Sequence, residues 1–419
     1  MDYKKRHIES KLLKYSSCFP AILLNGARQV GKSTLLSHFY DDKMDHVVFD
    51  PVIDIGNARQ DPEFFLNQQK LPIILDEIQF VPELLPVIKR VIDKNPKPGL
   101  FFLTGSQNLL ILKQISESLA GRVMVLDLGT MSLAERLGHG LLAETGSWVY
   151  KLFDAKTDIP DLSECSRTVG SGYYYNVFAQ LWRGGFPGIL QLDNDTISDY
   201  FRSYTATYVE RDIRVLAEVS DQQQFSRFLS LCAALTAKEI NYSQLGREIG
   251  VTPQTALRWL AILKATYQWL EVFPYHGNTI KRLSGKPKGY ITDTGFASYL
   301  QHISSPEALS GHPLLGSFFE THVVLDLHCK FSFLSTAPQC YHWRSHGGAE
   351  VALLLERDGI FWPIEIKCKA KITKNDARGI KAFKETYPQL TCGPGIIIAP
   401  VLNVSKLDEN TLIVPYDLQ

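Results

Sequence analysis

The chain has 419 residues, which at roughly 150 residues per domain points to two to three domains. Hydrophobic residues make up 45%, aromatics 11% and charged residues 21%, enough apolar material to bury real cores, so wholesale disorder is excluded. The 44 Lys and Arg balance the 44 Asp and Glu, so no global field draws the molecule onto nucleic acid or anionic lipid, and any such binding is local. Cys18, Cys165, Cys232, Cys329, Cys340, Cys368 and Cys392 lie far apart without a C-x-x-C pair, which argues against a zinc site or a disulfide framework. The polar N-terminal stretch lacks the apolar core of a secretory signal, and no apolar run approaches about 18 residues. The reading is a soluble, cytoplasmic protein without membrane contact.

In chain order, residues 1–130 alternate β-rich runs with helical patterns: AILLNG, a helix from Lys32, HVVFD, PIILDEI, a helix through Leu84–Ile92, GLFFLTGS and VMVLDL. Repeated strand–helix alternation predicts a parallel α/β sheet. Residues 138–180 lose that rhythm and read as an insertion or lid. Helical spacing returns from about Ser198 to Leu235. A short helix at Ser243–Ile249, a Gly250–Val251 turn, a second helix at Pro253–Lys264 and an extended run follow in the order of a winged helix-turn-helix. The segment Ser284–Gly289 is the most linker-like join. Beyond it, a helix near Ser317–Leu327 and extended runs at Cys340–Arg344, Glu350–Glu356, Phe361–Lys367 and Gly395–Ala399 predict a third α/β domain. The expected boundaries are 1–205, with the insertion at about 138–180, then 206–285 and 286–419.

Gly26, Ala27, Arg28, Gln29, Val30, Gly31, Lys32 and Ser33 fit G-x-x-x-x-G-K-[ST], after an apolar strand and before a helix. In that setting backbone N–H groups cradle phosphate oxygens at a helix N-terminus, Lys32 supplies positive charge, Ser33 can ligate Mg²⁺, and Thr34 completes the loop. Asp76 and Glu77 close the strand PIILDE as a Walker B pair, Asp76 for Mg²⁺ and Glu77 for the attacking water. The strand Leu100–Thr104 runs into Ser106 and Asn108, either of which suits a polar sensor if that strand neighbours the Walker B strand. Arg122 is a candidate trans-acting finger, with Arg211 and Arg214 as alternatives that would sense nucleotide from the helical region. The expected cofactors are ATP and Mg²⁺.

The pieces GARQVGKSTLL, ILDEIQFVPELLPVIKRVID, FFLTGSQNLL, SLAGR, GGFP, YVERDI, ITDTGFASYL, GSFFETHVV and YHWRSHGGAEVALLLERDGIFWPIEIKCKA together resemble the predicted AAA-superfamily ATPases of bacteria and archaea. Members of that group carry a C-terminal domain of unknown function resembling restriction endonucleases. The resemblance implies an α/β protein with an AAA-type P-loop ATPase core, a winged helix-turn-helix and a nuclease-like α/β domain.

Nuclease-like domains of the PD-(D/E)xK type hold Mg²⁺ between acids on two successive strands, with a lysine two residues after the second acid. Residues i and i+2 share a strand face, so Glu365 and Lys367 project together; Glu320, on a helix, resembles an auxiliary acid. Where the pattern reads E-V-D this chain reads Glu350-Val351-Ala352, and a two-residue shift of about 6–7 Å puts Glu350 outside coordination distance. The site therefore reads as degenerate. In the winged-helix segment, Lys238, Arg247, Arg258, Lys264, Lys281, Arg282, Lys286 and Lys288 outnumber the acids, with Thr252, Gln254, Thr255 and Arg258 as candidate DNA contacts and Lys281 and Arg282 as a basic wing tip. The leading reading is an ATPase whose nucleotide state controls domains that bind double-stranded DNA or a protein partner, with homo-oligomerisation needed for a trans finger. The alternatives are an ATP-gated Mg²⁺-dependent nuclease, in which Glu350 or Glu320 replaces the lost acid, and a non-hydrolysing nucleotide sensor.

Overall fold

The computed structural model describes residues 3–40, 44–49, 55–106, 115, 118–140, 144–168, 173–209, 222–278, 280, 282 and 285–419. Asn108, Arg211, Arg214 and Lys281 lie outside the described residues. The chain folds as two compact units, one comprising Ile8–Thr130 with Ile262–Gln268, the other Lys4–His7, Met131–Ala261 and Trp269–Gln419.

The first unit holds a five-stranded, all-parallel sheet. Its strands are β1 (Ala21–Asn25), β2 (Asp45–Val48), β3 (Ile73–Asp76), β4 (Phe101–Gly105) and β5 (Val123–Asp127), in the spatial order β2-β3-β4-β1-β5. Both faces of β1, β3 and β4 are covered, which is why these strands read as unbroken apolar runs instead of alternating ones. Leu23, Leu75, Phe101 and Leu103 pack with Leu84, Leu85 and Ile88 of the helix Leu84–Lys94. On β4, Phe102 meets Tyr40 of the helix Lys32–Tyr40, with ring centroids 4.3 Å apart. Because all five strands run the same way, the residues after β1, β3 and β4 emerge at one edge.

The second unit is built on a mixed sheet with strands β6 (Lys238–Glu239), β7 (Trp269–Pro274), β8 (Lys288–Ile291), β9 (Gln339–Arg344), β10 (Glu350–Arg357), β11 (Ile360–Ile366), β12 (Thr391–Cys392), β13 (Gly395–Ala399), β14 (Ser405–Asp408) and β15 (Thr411–Pro415). The order is β14-β15-β13-β11-β10-β9-β7-β8-β6, with β12 beside β11. The helices Gln222–Ala234, Tyr242–Ile249 and Pro253–Ala265 alternate with β6 to β8 along the chain, β8 pairing antiparallel with both β6 and β7.

Two expectations are corrected by this sheet. The segment Ser284–Gly289 is not a free linker, because Lys288 and Gly289 open a fully buried strand. Nor does compactness separate 206–285 from 286–419: β7 pairs with β9 through Phe273↔Tyr341 and Pro274↔His342, so one sheet runs through both. The described part of the 138–180 segment belongs to this second unit. It packs on the chain's end: Trp148 N donates to Gln419 O at 3.2 Å, Thr168 N to Asp417 O at 3.0 Å, and Arg167 pairs with Asp417 at 3.1 Å.

The second unit also explains two quoted motifs that carry no obvious chemistry. In GGFP, Gly185 N donates to Asp293 Oδ2 at 2.6 Å, and Gly184 has φ +77° with Asp293 so close that a Cβ there would lie 2.2 Å from its Oδ1. Asp293, from ITDTG, also caps the helix Thr294–Leu300 by accepting from Phe296 N at 2.8 Å. Burial pushes its carboxyl up to about 6. Arg136, also buried, donates to Gly184 O at 2.6 Å.

Candidate functional site

The P-loop lies between β1 and the helix Lys32–Tyr40, as the sequence predicts. At Gly26, φ is +152° and a Cβ would sit 2.1 Å from Leu128 O, so the loop can pass this close to the end of β5 only as glycine. Gln29 at φ 62° and Gly31 at φ 95° continue the turn. Lys32 is buried, and its Nζ donates to Gly26 O at 3.0 Å and Ala27 O at 2.8 Å, which folds the ammonium back over the loop. Ser33 is half-buried at the second position of the helix, whereas Thr34 is exposed.

β4 lies between β1 and β3, pairing Leu75↔Leu103 and Asn25↔Gly105, and this brings the Walker B pair to the P-loop edge. Asp76 is buried, accepts from Thr104 Oγ1, and has His46 Nε2 3.8 Å from its Oδ2. Glu77 takes a left-handed conformation at φ 57°, and its backbone N–H donates to Thr104 Oγ1 at 2.9 Å. Its carboxylate Oε2 accepts from Ser106 Oγ at 2.9 Å and from Gln79 Nε2, and Gln79 Nε2 also reaches Ser106 Oγ at 3.1 Å. Thr104 and Gln79 went unrecognised as site residues in the sequence. Thr104 shows only as the last polar residue of an apolar strand, and Gln79 as the end of DEIQ.

Arg122 is not brought to this edge. It precedes β5, where Ala21↔Val123 begins the pairing, so it sits at the far end of the strands from the P-loop. There its Nε pairs with Asp93 at 2.5 Å. At the P-loop end of β5, Asp127 Oδ1 accepts from Tyr267 OH at 3.0 Å, and burial raises both groups above their ordinary ranges.

In the second unit, Glu320, Glu350 and Lys367 line a cavity of about 450 Å³, and Glu350, Glu365 and Lys367 line an adjoining one of about 310 Å³. Glu365 Oε2 and Lys367 Nζ are 3.1 Å apart, the same-face pairing expected of i and i+2. Burial pushes the Glu365 carboxyl up to about 7, with Lys367 opposing the shift. Lys288, counted from sequence in the local excess of cations, is buried here. Its Nζ lies 2.7 Å from Glu320 Oε1 and 3.2 Å from Glu350 Oε1. Burial works against both charged forms, yet the pairing holds Lys288 above the usual lysine range and Glu350 below the usual carboxylate range. Tyr290 OH donates to Glu320 Oε1 at 2.9 Å.

Of the candidate DNA contacts, Thr252, Gln254 and Arg258 are exposed and Thr255 is half-buried. Thr252 Oγ1 accepts from Thr255 N at 3.1 Å, so it caps the helix Pro253–Ala265. Arg282 is not a free wing tip: its guanidinium stacks over Tyr275 at 4.3 Å and its Nε donates to His276 O. Among the described residues, no helix is long and apolar enough to cross a membrane.

Comparison with known proteins agrees with the first unit and divides the second. Residues 19–137 match the family model described as AAA domain, residues 175–307 a domain of unknown function (DUF8612), and residues 315–418 another domain of unknown function (DUF4143). The chain is 28% identical over 367 residues to the uncharacterized proteins Rv2008c of Mycobacterium tuberculosis and Mb2031c of Mycobacterium bovis, spanning 87% of this chain and 74% of each relative. A solved Walker-type ATPase of Pyrococcus abyssi, PABY2304, aligns at 17% identity and a TM-score of 0.46, covering 72% of this chain and 99% of that one. With the P-loop motif, the Asp76–Glu77 strand end and the intervening β4 at one edge of a parallel sheet, the N-terminal part of the chain matches the AAA domain family and has the parallel-sheet core of a P-loop ATPase.

Proposed function

We propose that the protein binds and hydrolyses ATP, and that its nucleotide state controls a winged helix and a degenerate nuclease-like domain that bind double-stranded DNA or a protein partner without cutting. The observation that carries the ATPase reading is the meeting of Lys32, Asp76, Glu77 and Ser106 at one sheet edge. The residues fit Mg²⁺ and ATP: a buried lysine and a glycine turn lie at a helix N-terminus, with a buried carboxylate two strands away. When bound, the nucleotide supplies the γ-phosphoryl group and the metal ion neutralises developing charge.

The chain's own residues have separable roles in this reading. Gly26, Ala27, Arg28, Gln29, Val30 and Gly31 offer backbone N–H donors to phosphate oxygens. Lys32 would exchange the carbonyls of Gly26 and Ala27 for phosphate, and Ser33 and Asp76 would hold the metal ion. Glu77 takes the proton of the attacking water, with Ser106 and Gln79 setting where its carboxylate points. Asn108 remains a proposed sensor and Arg122 a proposed finger acting on a neighbouring copy of the chain.

The winged-helix reading is supported by the order helix, strand, two helices and two strands over Gln222–Ile291, and by exposed Gln254 and Arg258. The test is ATP hydrolysis by the wild type and Glu77→Gln, with and without duplex DNA, at two salt concentrations in Mg²⁺. Turnover that Glu77→Gln abolishes is expected, and DNA stimulation that falls steeply with salt marks nucleic acid as the partner. Salt-insensitive, DNA-independent turnover points to a protein partner. Hydrolysis that survives Lys32→Ala at the wild-type rate overturns the ATPase reading.

A further inference from the structure

The resemblance to metal-dependent nucleases implies a divalent cation held between an acid at position 352 and Glu365, and the residues present do not fit one. Position 352 is alanine and almost fully buried. The two remaining carboxylates, Glu320 from the helix Leu315–Phe331 and Glu350 from β10, converge on one ammonium, Lys288 Nζ, at 2.7 and 3.2 Å. Tyr290, two residues along β8, adds a hydroxyl to Glu320. Glu365 is paired with Lys367. Each carboxylate of the cluster thus already faces a cation covalently tethered to the chain. Among the described residues, no three His, Cys, Asp or Glu side chains converge as a metal cage.

The Glu320 side chain is largely withdrawn from water at 14% exposed and Glu350 partly so at 40%, and a carboxylate withdrawn from water without a countercharge is costly. Here a lysine that is 5% exposed, drawn from a strand 32 residues before Glu320 and 62 before Glu350, supplies the charge with three donors. A tethered ammonium competes with any free ion at high effective concentration.

We infer that Lys288 is the resident cation of the Glu320–Glu350 pair, so that the nuclease-like domain is metal-independent and these two carboxylates are reserved for the chain's own ammonium. Removing the ammonium frees Glu320 and Glu350 to take a divalent ion from solution. This inference does not rest on the P-loop reading, and ATP hydrolysis by the same preparations reads that site separately.

The probe is Mn²⁺ added to the full chain without nucleotide, with bound and free ion counted by electron paramagnetic resonance. The wild type is expected to bind no Mn²⁺ that Glu320→Gln removes. Lys288→Met is expected to gain about one Mn²⁺ per chain, and adding Glu320→Gln to it abolishes that gain. Lys288→Gln, which keeps a polar side chain of similar length, serves if the methionine variant does not fold. Mn²⁺ binding by the wild type that depends on Glu320 or Glu365 overturns the inference. So do folded Lys288 variants that take up no Mn²⁺.

Discussion

Ser106 Oγ, at the end of β4, donates a hydrogen bond of 2.9 Å to the Oε2 of Glu77, at the end of the neighbouring β3. Gln79 shares the same carboxylate oxygen. A hydrogen bond to a charged group contributes about 1.5–3 kcal/mol, and each 1.4 kcal/mol in a barrier is about tenfold in rate. Ser106→Ala is therefore expected to lower kcat for ATP hydrolysis by roughly 10- to 100-fold, leaving ATP affinity little changed. Gln79→Ala shifts kcat the same way. Steady-state phosphate release alongside equilibrium nucleotide binding separates the two quantities; a loss of affinity with kcat intact contradicts the positioning role.

Gly26→Ala places a methyl group 2.1 Å from Leu128 O, a backbone atom that cannot give way without moving the end of β5. The loop must shift, and the N–H groups it presents shift with it. Titration with a fluorescent ATP analogue is expected to show binding weakened by at least tenfold, while the far-ultraviolet circular dichroism stays that of the wild type.

Glu365 gives the second unit a pH dependence of definite sign. Its folded-state value is raised from 4.5 to about 7, so the folded protein holds this proton more tightly than the unfolded chain. The stabilisation is fully present below pH 4.5 and is lost as pH rises through 7, a change of roughly 3 kcal/mol. Glu365→Gln, which mimics the protonated side chain, is expected to be more stable than the wild type at pH 8, and the gap closes as pH falls toward 4.5. Urea unfolding at both pH values measures this, and a gap that does not vary with pH contradicts the assignment.

Asp293 joins the GGFP turn to the start of the helix Thr294–Leu300. Asp293→Ala leaves the buried N–H groups of Gly185 and Phe296 without these acceptors, at roughly 1–3 kcal/mol each. Asp293→Asn, which keeps one carbonyl oxygen, is expected to lose about half as much. Chemical denaturation of the three proteins gives the ranking; equal losses for Ala and Asn contradict it.

The sequence by itself determined the features whose parts are neighbours along the chain. A phosphate loop needs one strand, one turn and one helix start, all within residues 21–40, so its spacing is legible without a fold. The same holds for the buried strand ending in Asp76-Glu77 and for the pairing of Glu365 with Lys367, which the strand's period of two dictates. Tertiary structure decided which distant residues share a site. Thr104 reaches Asp76 across 28 residues because β4 inserts between β1 and β3, and strand order is not written in local periodicity. Lys288 reads as one more cation in a basic stretch; only the pairing of β8 inside a continuous sheet buries it against Glu320 and Glu350. The charge of a side chain is fixed by its sequence, but whether that charge meets water or a carboxylate depends on what packs over it.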